Sequence, residues 1–280
     1  MVAAPADQHR LPALVYGTAW KEDETARLVG LALAAGFRGI DTANQRKHYH
    51  EAGVGAALKA AFEQGLARRD ELFIQTKFTH LGGQDHRLPY DARAPVHRQV
   101  EQSFESSLQH LGVDRLDSYV LHGPSVPVGW ADEDWQAWKV MEALQRAGRT
   151  RLIGVSNVSA DQLEELCAQA TVKPAVVQNR CFTRPRADEA VRAFCRGHGI
   201  AYQGFSLLTG HRSLLRDPDL HAIAHRLGAT VPQVVFRHCL ERGMVVLTGT
   251  TSPRHMAEDL AAPGLQLSMA DVTALDAAVG

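Results

Sequence analysis

The sequence predicts an α/β protein with one (β/α)8, or TIM, barrel domain, and three observations favour that fold. Short β-rich runs alternate with amphipathic segments eight times along 280 residues, which is the pattern and length of such a barrel. No Pro/Gly-rich linker or low-complexity stretch divides the chain. The residues after the first run, Thr18 to Lys21, lack a glycine-rich phosphate turn, which disfavours a doubly wound open sheet. We therefore expect a single domain over 1–280, with 1–10 as a loose N-terminal segment.

The β-rich runs are the predicted strands of the barrel. They cover 13–17, 37–42, 72–77, 116–122, 152–157, 175–179, 201–206 and 244–249. The predicted helices cover 22–35, 51–64, 95–111, 132–147, 159–169, 187–198, 230–242 and 253–261. Apolar residues recur at helical spacing in these segments, as expected for helices that cover a parallel barrel.

Capping residues mark several helix ends. Ser159, followed by Gln162, predicts the start of one helix, and Ser252 with Pro253 predicts the start of another. A glycine separates a helical segment from the next strand at Gly36, Gly112, Gly199 and Gly243.

The composition favours a globular protein that binds a small molecule. Lys+Arg (30) and Asp+Glu (31) give a formal net charge of −1, whereas nucleic-acid and anionic-membrane binders need a concentrated positive field. No apolar run approaches the roughly 18–20 residues that cross a bilayer, and 1–10 shows no signal peptide. We expect a cytoplasmic monomer or small homo-oligomer. The four cysteines have no metal-ligand spacing, so we expect reduced thiols and no metal site.

Ionisable residues end three neighbouring strands. Asp41, Lys77 and His122 end the second, third and fourth runs. In a parallel barrel these ends share one rim, with adjacent strands about 4.8 Å apart, so Asp41 and Lys77 are expected to pair. Each residue alone could be a helix cap or a solvated side chain, but the three together predict a reactive rim. The later runs end in amides, hydroxyls and an aromatic ring, which is typical of a binding surface.

Five segments in order along the chain carry a family resemblance. They are GFRGIDTA (36–43), LFIQTKF (72–78), LDSYVLHGP (116–124), IGVSN (153–157) and VVQN (176–179). Together they resemble the aldo-keto reductase superfamily. The resemblance implies a (β/α)8 barrel that reduces aldehydes and ketones reversibly with NAD(P)H. It also implies a catalytic tetrad of Asp41, Tyr49, Lys77 and His122.

The chemistry of carbonyl reduction explains why those residue types are needed. A carbonyl that accepts hydride develops negative charge on oxygen and needs a nearby proton donor. Tyr49 would donate the proton, and the Lys77 ammonium would lower the pKa of that phenol. Asp41 would keep Lys77 charged and in place. His122 would hydrogen-bond the substrate oxygen and orient the carbonyl.

The tyrosine departs from the family spacing. The family's tyrosine usually lies five residues after the Asp and three before a Glu, whereas Tyr49 lies eight after Asp41 and two before Glu51. Counting back from Glu51 gives His48 instead. We favour Tyr49, because a neutral histidine cannot readily replace a phenol activated by lysine.

The resemblance further implies a nicotinamide cofactor on the later strands. Ser156, Asn157 and Gln178 would hydrogen-bond the carboxamide, and Phe205 would stack under the ring where the family usually has Tyr. Further cofactor contacts are expected at Gly17, Thr18, Ser206 and Leu208.

The start of the last predicted helix suits a phosphate, because backbone N–H groups and the helix dipole converge there. The family usually holds the 2′-phosphate of NADPH with a Lys and an Arg, and these positions correspond here to Gly249 and His255. Arg254 compensates in part, so we expect NADP(H) to be favoured and NAD(H) to be possible. The remaining expected contacts are Thr250, Thr251, Glu258 and Asp259.

The substrate is predicted only as a small carbonyl compound, with Trp20, Phe78 and Trp130 as apolar walls. Two other classes of function compete with this hypothesis. One is a nucleotide-sensing binding module on the same barrel with little turnover. The other is a metal-dependent hydrolase that uses His48 and His50, but the strand ends lack matching carboxylates for it.

Overall fold

Eight parallel strands close into one barrel in chain order, with β1 paired to both β2 and β8. The computed structural model describes residues 11–181, 188–210 and 212–279; the expected loose segment 1–10 lies outside them. The strands are β1 (Leu14–Gly17), β2 (Gly39–Asp41), β3 (Phe73–Phe78), β4 (Leu116–Leu121), β5 (Thr150–Ser156), β6 (Val176–Arg180), β7 (Ala201–Phe205) and β8 (Met244–Thr248). The (β/α)8 prediction is confirmed.

The helices surround the barrel and include two that the sequence analysis did not predict. They are α1 (Thr25–Ala35), α2 (Glu51–Glu63), α3 (Val96–Leu111), α4 (Asp132–Arg146), α5 (Ala160–Gln169), α6 (Glu189–His198), α7 (Pro218–Arg226), α8 (Val231–Glu241), α9 (Pro253–Ala261) and α10 (Met269–Val279). The unpredicted helices are α7 and α10, which contact each other beside α8. Both lie outside the strand–helix alternation that guided the prediction.

The predicted caps are present. The Ser159 hydroxyl accepts from the Gln162 N–H, and the Gln162 side chain accepts from the Ser159 N–H. The Ser252 hydroxyl accepts from the His255 N–H at the start of α9. The four predicted glycines between helices and strands all have positive φ, a backbone conformation that side chains other than glycine rarely adopt.

The interior of the barrel changes from apolar to polar along its axis. Phe73, Leu152 and Val176 form an apolar cluster toward the beginning of their strands. Residues two apart on a strand share a face, so Gln75 and Gln178 follow Phe73 and Val176 on the inner face. Gly154 faces Val176, where a Cβ would lie 2.4 Å from the Val176 oxygen. The carboxyl ends of the strands therefore enclose the polar half of the barrel.

No helix in the described ranges has both the length and the apolar character needed to cross a membrane.

Candidate active site

Asp41 and Lys77 form a buried ion pair at the carboxyl ends of β2 and β3. The Lys77 ammonium donates to both carboxylate oxygens of Asp41 at 2.7 Å and to the Thr42 backbone oxygen at 2.8 Å. Burial lowers the pKa of Lys77, and the negative charges of Asp41 and Glu51 oppose that shift. Because all three ammonium hydrogens have acceptors, Lys77 is held in one position.

The structure brings Tyr49, rather than His48, next to this pair. The Tyr49 ring centroid lies 5.3 Å from the Lys77 nitrogen and 5.9 Å from the His122 ring centroid. The His48 ring instead packs on Trp20, with 4.0 Å between the ring centroids. The backbone N–H groups of His48 and Tyr49 both donate to the Gln45 oxygen. This turn takes up the longer spacing between Asp41 and the tyrosine.

The net shift in the pKa of Tyr49 is opposite in direction to the expected one. Burial, followed by the negative charge of Asp41, raises the pKa of Tyr49 well above its usual value. The sequence predicts that the Lys77 ammonium lowers this pKa. In the structure the positive charge of Lys77 is balanced by the Asp41 carboxylate, and its hydrogens are directed at Asp41 and Thr42. Tyr49 is therefore a neutral phenol that carries its proton.

His122 follows β4 and faces the tyrosine ring. Its Nδ1 lies 2.7 Å from the Thr79 hydroxyl. Desolvation of the ring, with the positive charge of Lys77, lowers the pKa of His122 to about 3. The ring is consequently neutral near pH 7, so it has one N–H donor and one acceptor nitrogen.

The three predicted amide and hydroxyl contacts lie side by side at the end of β5 and on β6. The Ser156 hydroxyl donates to the Gln178 backbone oxygen at 2.5 Å. The exposed Asn157, with φ of 54°, donates from Nδ2 to the His122 backbone oxygen at 2.8 Å. Gln178 donates from Nε2 to Asp41 at 2.9 Å. These contacts join the amide cluster to the ionisable residues of the rim.

The end of β7 carries the predicted aromatic residue. Phe205 is half-buried, and the Arg180 guanidinium lies 5.7 Å from its ring centroid. Ser206 follows with φ of 61°, and Leu208 is half-buried. Two strands away, after β1, the backbone N–H and the hydroxyl of Thr18 both donate to the Asp41 backbone oxygen, next to Gly17.

The predicted phosphate segment begins α9, and its basic residues are exposed. Arg254 contacts Glu258 at 3.6 Å and His255 at 3.2 Å. Asp259 is buried, accepts a hydrogen bond from the Thr248 hydroxyl at 2.7 Å, and has its pKa raised by burial to about 6. The carboxylate of Asp259 thus already contacts β8. Gly249, Thr250 and Thr251 lie between β8 and α9, with the Thr250 backbone oxygen accepting from Tyr16.

Lys21 is a candidate site residue that the sequence analysis missed. Its side chain crosses from the end of β1 to the end of β8, where Nζ donates to the Gly249 oxygen at 2.6 Å. The residue is only 6% exposed, and no described carboxylate lies within ion-pair distance of it. Burial lowers the pKa of Lys21 to about 8. The available signal was a lysine four residues after the end of the first predicted strand.

The three residues expected to form apolar walls differ in their exposure and packing. Trp20 is 69% exposed beside His48, so its indole is available at the rim. Phe78 is fully buried against His80 and Tyr90, which corrects its assignment as a substrate wall. Side chains alternate along a strand, so Phe78 points to the opposite face from Lys77. Trp130 packs on Trp135 and Trp138 of α4 and donates to the Gln162 oxygen, contacts that indicate a packing role.

Across the described part of the chain, no group of three or more His, Cys, Asp or Glu side chains is arranged to hold a metal ion. All four cysteines are free thiols, and three of them are buried.

The chain is similar to several known proteins. Residues 13–279 match the model of the aldo/keto reductase family. A glyoxal reductase of Bacillus subtilis is 33% identical over 257 residues, which cover 91% of this chain and 83% of that protein. A morphine 6-dehydrogenase of Pseudomonas putida is 31% identical, with 95% and 87% covered. The solved structure of a Bombyx mori aldo-keto reductase in complex with NADP has a TM-score of 0.81 at 26% identity, covering 99% of this chain and 94% of that one.

Proposed function

The chain belongs to the aldo/keto reductase family of oxidoreductases, and from that premise we propose that it reduces aldehyde or ketone carbonyls to alcohols with NADPH. The observation that carries the proposal is the position of Tyr49, whose ring centroid lies 5.3 Å from the Lys77 nitrogen and 5.9 Å from the His122 ring centroid. The relatives support the reaction class and leave the substrate open, because their names specify glyoxal in one case and morphine in another.

The residues present fit a nicotinamide dinucleotide. The Lys21 ammonium is buried and has no described carboxylate partner. An anion bound near the ends of β1 and β8 would therefore stabilise its charge. The hydroxyls and N–H groups at the start of α9, with Arg254 and His255, add donors for phosphate oxygens. When bound, the cofactor supplies the hydride that the protein side chains cannot supply. Glu258 would contact the adenine from the same helix.

Tyr49 would supply the proton. As hydride reaches the carbonyl carbon, its oxygen becomes negative and takes the proton from the Tyr49 hydroxyl. The Lys77 ammonium, 5.3 Å from the ring, would then stabilise the phenolate that remains. Asp41 keeps the ammonium charged despite its burial. Because an interaction that stabilises the phenolate also favours loss of the proton, the ammonium would offset part of the rise in the Tyr49 pKa that burial causes.

His122 would position the substrate. A neutral imidazole can donate one hydrogen bond to the carbonyl oxygen while Nδ1 stays with the Thr79 hydroxyl. Phe205 would support the nicotinamide ring, and Ser156, Asn157 and Gln178 would surround the carboxamide. Trp20 would form the exposed apolar wall. This arrangement holds the reacting atoms in one geometry, which is a large part of catalysis.

The proposal is tested by NADPH consumption with a panel of aldehydes and ketones. Purified wild type should oxidise NADPH with at least one class of carbonyl compound. Binding of NADPH without turnover of any carbonyl would instead support a nucleotide-sensing module. Absence of dinucleotide binding, measured by calorimetry, would contradict the proposal altogether.

A further inference from the structure

Three buried glutamines fill the barrel beside the Asp41–Lys77 pair. Gln75 of β3, Gln178 of β6 and Gln203 of β7 are each at most 3% exposed. Gln75 and Gln203 bond reciprocally across the barrel: Gln75 donates to Oε1 of Gln203 at 2.7 Å, and Gln203 donates to Oε1 of Gln75 at 3.1 Å. Gln75 also donates to Asp41 at 2.7 Å. Amides placed this deeply persist only when their hydrogen bonds are satisfied.

Gln178 is joined to this pair through its amide nitrogen. Its Nε2 donates to Oε1 of Gln203 and to Oδ1 of Asp41, both at 2.9 Å. A flipped amide would direct Oε1 at those two acceptor oxygens, and an ionised carboxylate has no hydrogen to offer. The orientation of Gln178 is therefore determined by its neighbours. Its Oε1 has no hydrogen-bond partner in the described ranges.

We infer that Gln203 and Gln75 are positioning residues that hold the Gln178 amide with its oxygen free, so that the site accepts a hydrogen-bond donor such as the N–H of a nicotinamide carboxamide. The inference rests on the proposed function, in which Gln178 contacts that group. Gln203 is the centre of the arrangement, because its single oxygen accepts from both other glutamines. Gln75 acts through Gln203 by fixing which end of that amide faces Gln178.

The test compares the Kd values of NADP+ and its 3-acetylpyridine analogue, measured by calorimetry. The acetyl group of the analogue has an oxygen but no N–H, so the wild type should bind NADP+ more tightly. Gln203→Met removes one of the two acceptors that orient Gln178, and should reduce the ratio of the two affinities about fivefold, which is the value of one hydrogen bond. Gln75→Met should reduce the ratio in the same direction.

A packing role alone predicts a different result, because it would weaken both ligands by the same factor. Gln145→Met on the outer helix α4 is the matched control and should leave the ratio unchanged. Gln203→Thr, which suits a strand, provides a second variant if the methionine does not fold. In a Gln178→Met background, Gln203→Met should cause no further change in the ratio.

The outcomes separate this inference from the proposed function. An unchanged ratio in the Gln203 and Gln75 variants would overturn the positioning role while the reductase proposal stands. Equal affinity of the wild type for both ligands would also overturn the positioning role, since Gln178 would then not accept a hydrogen bond from the carboxamide N–H. Failure of the wild type to bind either dinucleotide would overturn the proposed function as well.

Discussion

Tyr49 and His48 are adjacent in sequence but differ completely in their neighbours. The Tyr49 ring lies beside Lys77 and His122, and the His48 ring packs on Trp20. Tyr49→Phe should lower kcat for carbonyl reduction by roughly 10²–10⁴-fold, because it removes the proton donor that we propose for the transition state. The Kd for NADP+ should stay nearly unchanged. His48→Ala is the matched control; loss of activity in that variant, with full activity in Tyr49→Phe, would reverse the assignment.

His122 should make the free energy of unfolding depend on pH. Its folded-state pKa of about 3 lies below the usual histidine value, so between about pH 6.5 and pH 3 the unfolded chain binds more protons and acid favours unfolding. From this group alone, the free energy of unfolding should fall by about 2 kcal/mol between pH 7 and pH 5. Urea titrations of wild type and His122→Gln at both pH values measure this decrease in the free energy of unfolding. An equal decrease in both proteins would exclude His122 as the cause.

At the scale of single elements, the sequence predicted the strands well and the faces of their side chains less well. The ends of β2, β3 and β4 were identified, because ionisable residues there interrupt β-rich runs. Phe78 was assigned to the pocket although it is one residue after Lys77 and so faces away from it. Helix α7 was not predicted although Asp217 caps it and Pro218 begins it, because it lies outside the eightfold alternation of strands and helices.

An ion pair inside the barrel joins the side chains of Asp41 on β2 and Lys77 on β3. Lys77→Met should abolish most reductase activity and lower the free energy of unfolding by about 3 kcal/mol, because it leaves the Asp41 carboxylate buried without a cation. The double variant Lys77→Met with Asp41→Asn should be more stable than Lys77→Met alone, since no unpaired charge remains. Chemical denaturation of the three proteins checks this order. A double variant that is less stable than the single one would show that the carboxylate is satisfied by its glutamine neighbours.

At the scale of the whole molecule, the contacts that sequence reasoning missed are those made by closing the barrel. Gln75 and Gln203 are 128 positions apart, and Lys21 and Gly249 are 228 apart. Periodicity and capping are local signals and contain no information about such pairs. A polar residue inside a β-rich run, such as Gln75 or Gln203, indicates only that its side chain needs a hydrogen-bond partner inside the barrel. Which partner it finds depends on the order and register of all eight strands.

Closure of β1 onto β8 places the Lys21 ammonium where we propose that cofactor phosphates bind. Burial lowers the pKa of Lys21 to about 8, so without ligand it loses its charge as the pH rises through that value. The affinity for NADP+ should therefore fall between pH 7 and pH 9, and Lys21→Met should weaken binding about tenfold at pH 7, the value of a hydrogen bond to a charged group.

Lys21→Arg keeps its charge at pH 9 and should show a smaller pH dependence. Lys59→Met, which removes an exposed lysine of α2, is the control for net charge. The Kd of NADP+ for each protein at both pH values is the measurement, and equal affinities in wild type and Lys21→Met at pH 7 would remove Lys21 from the phosphate site.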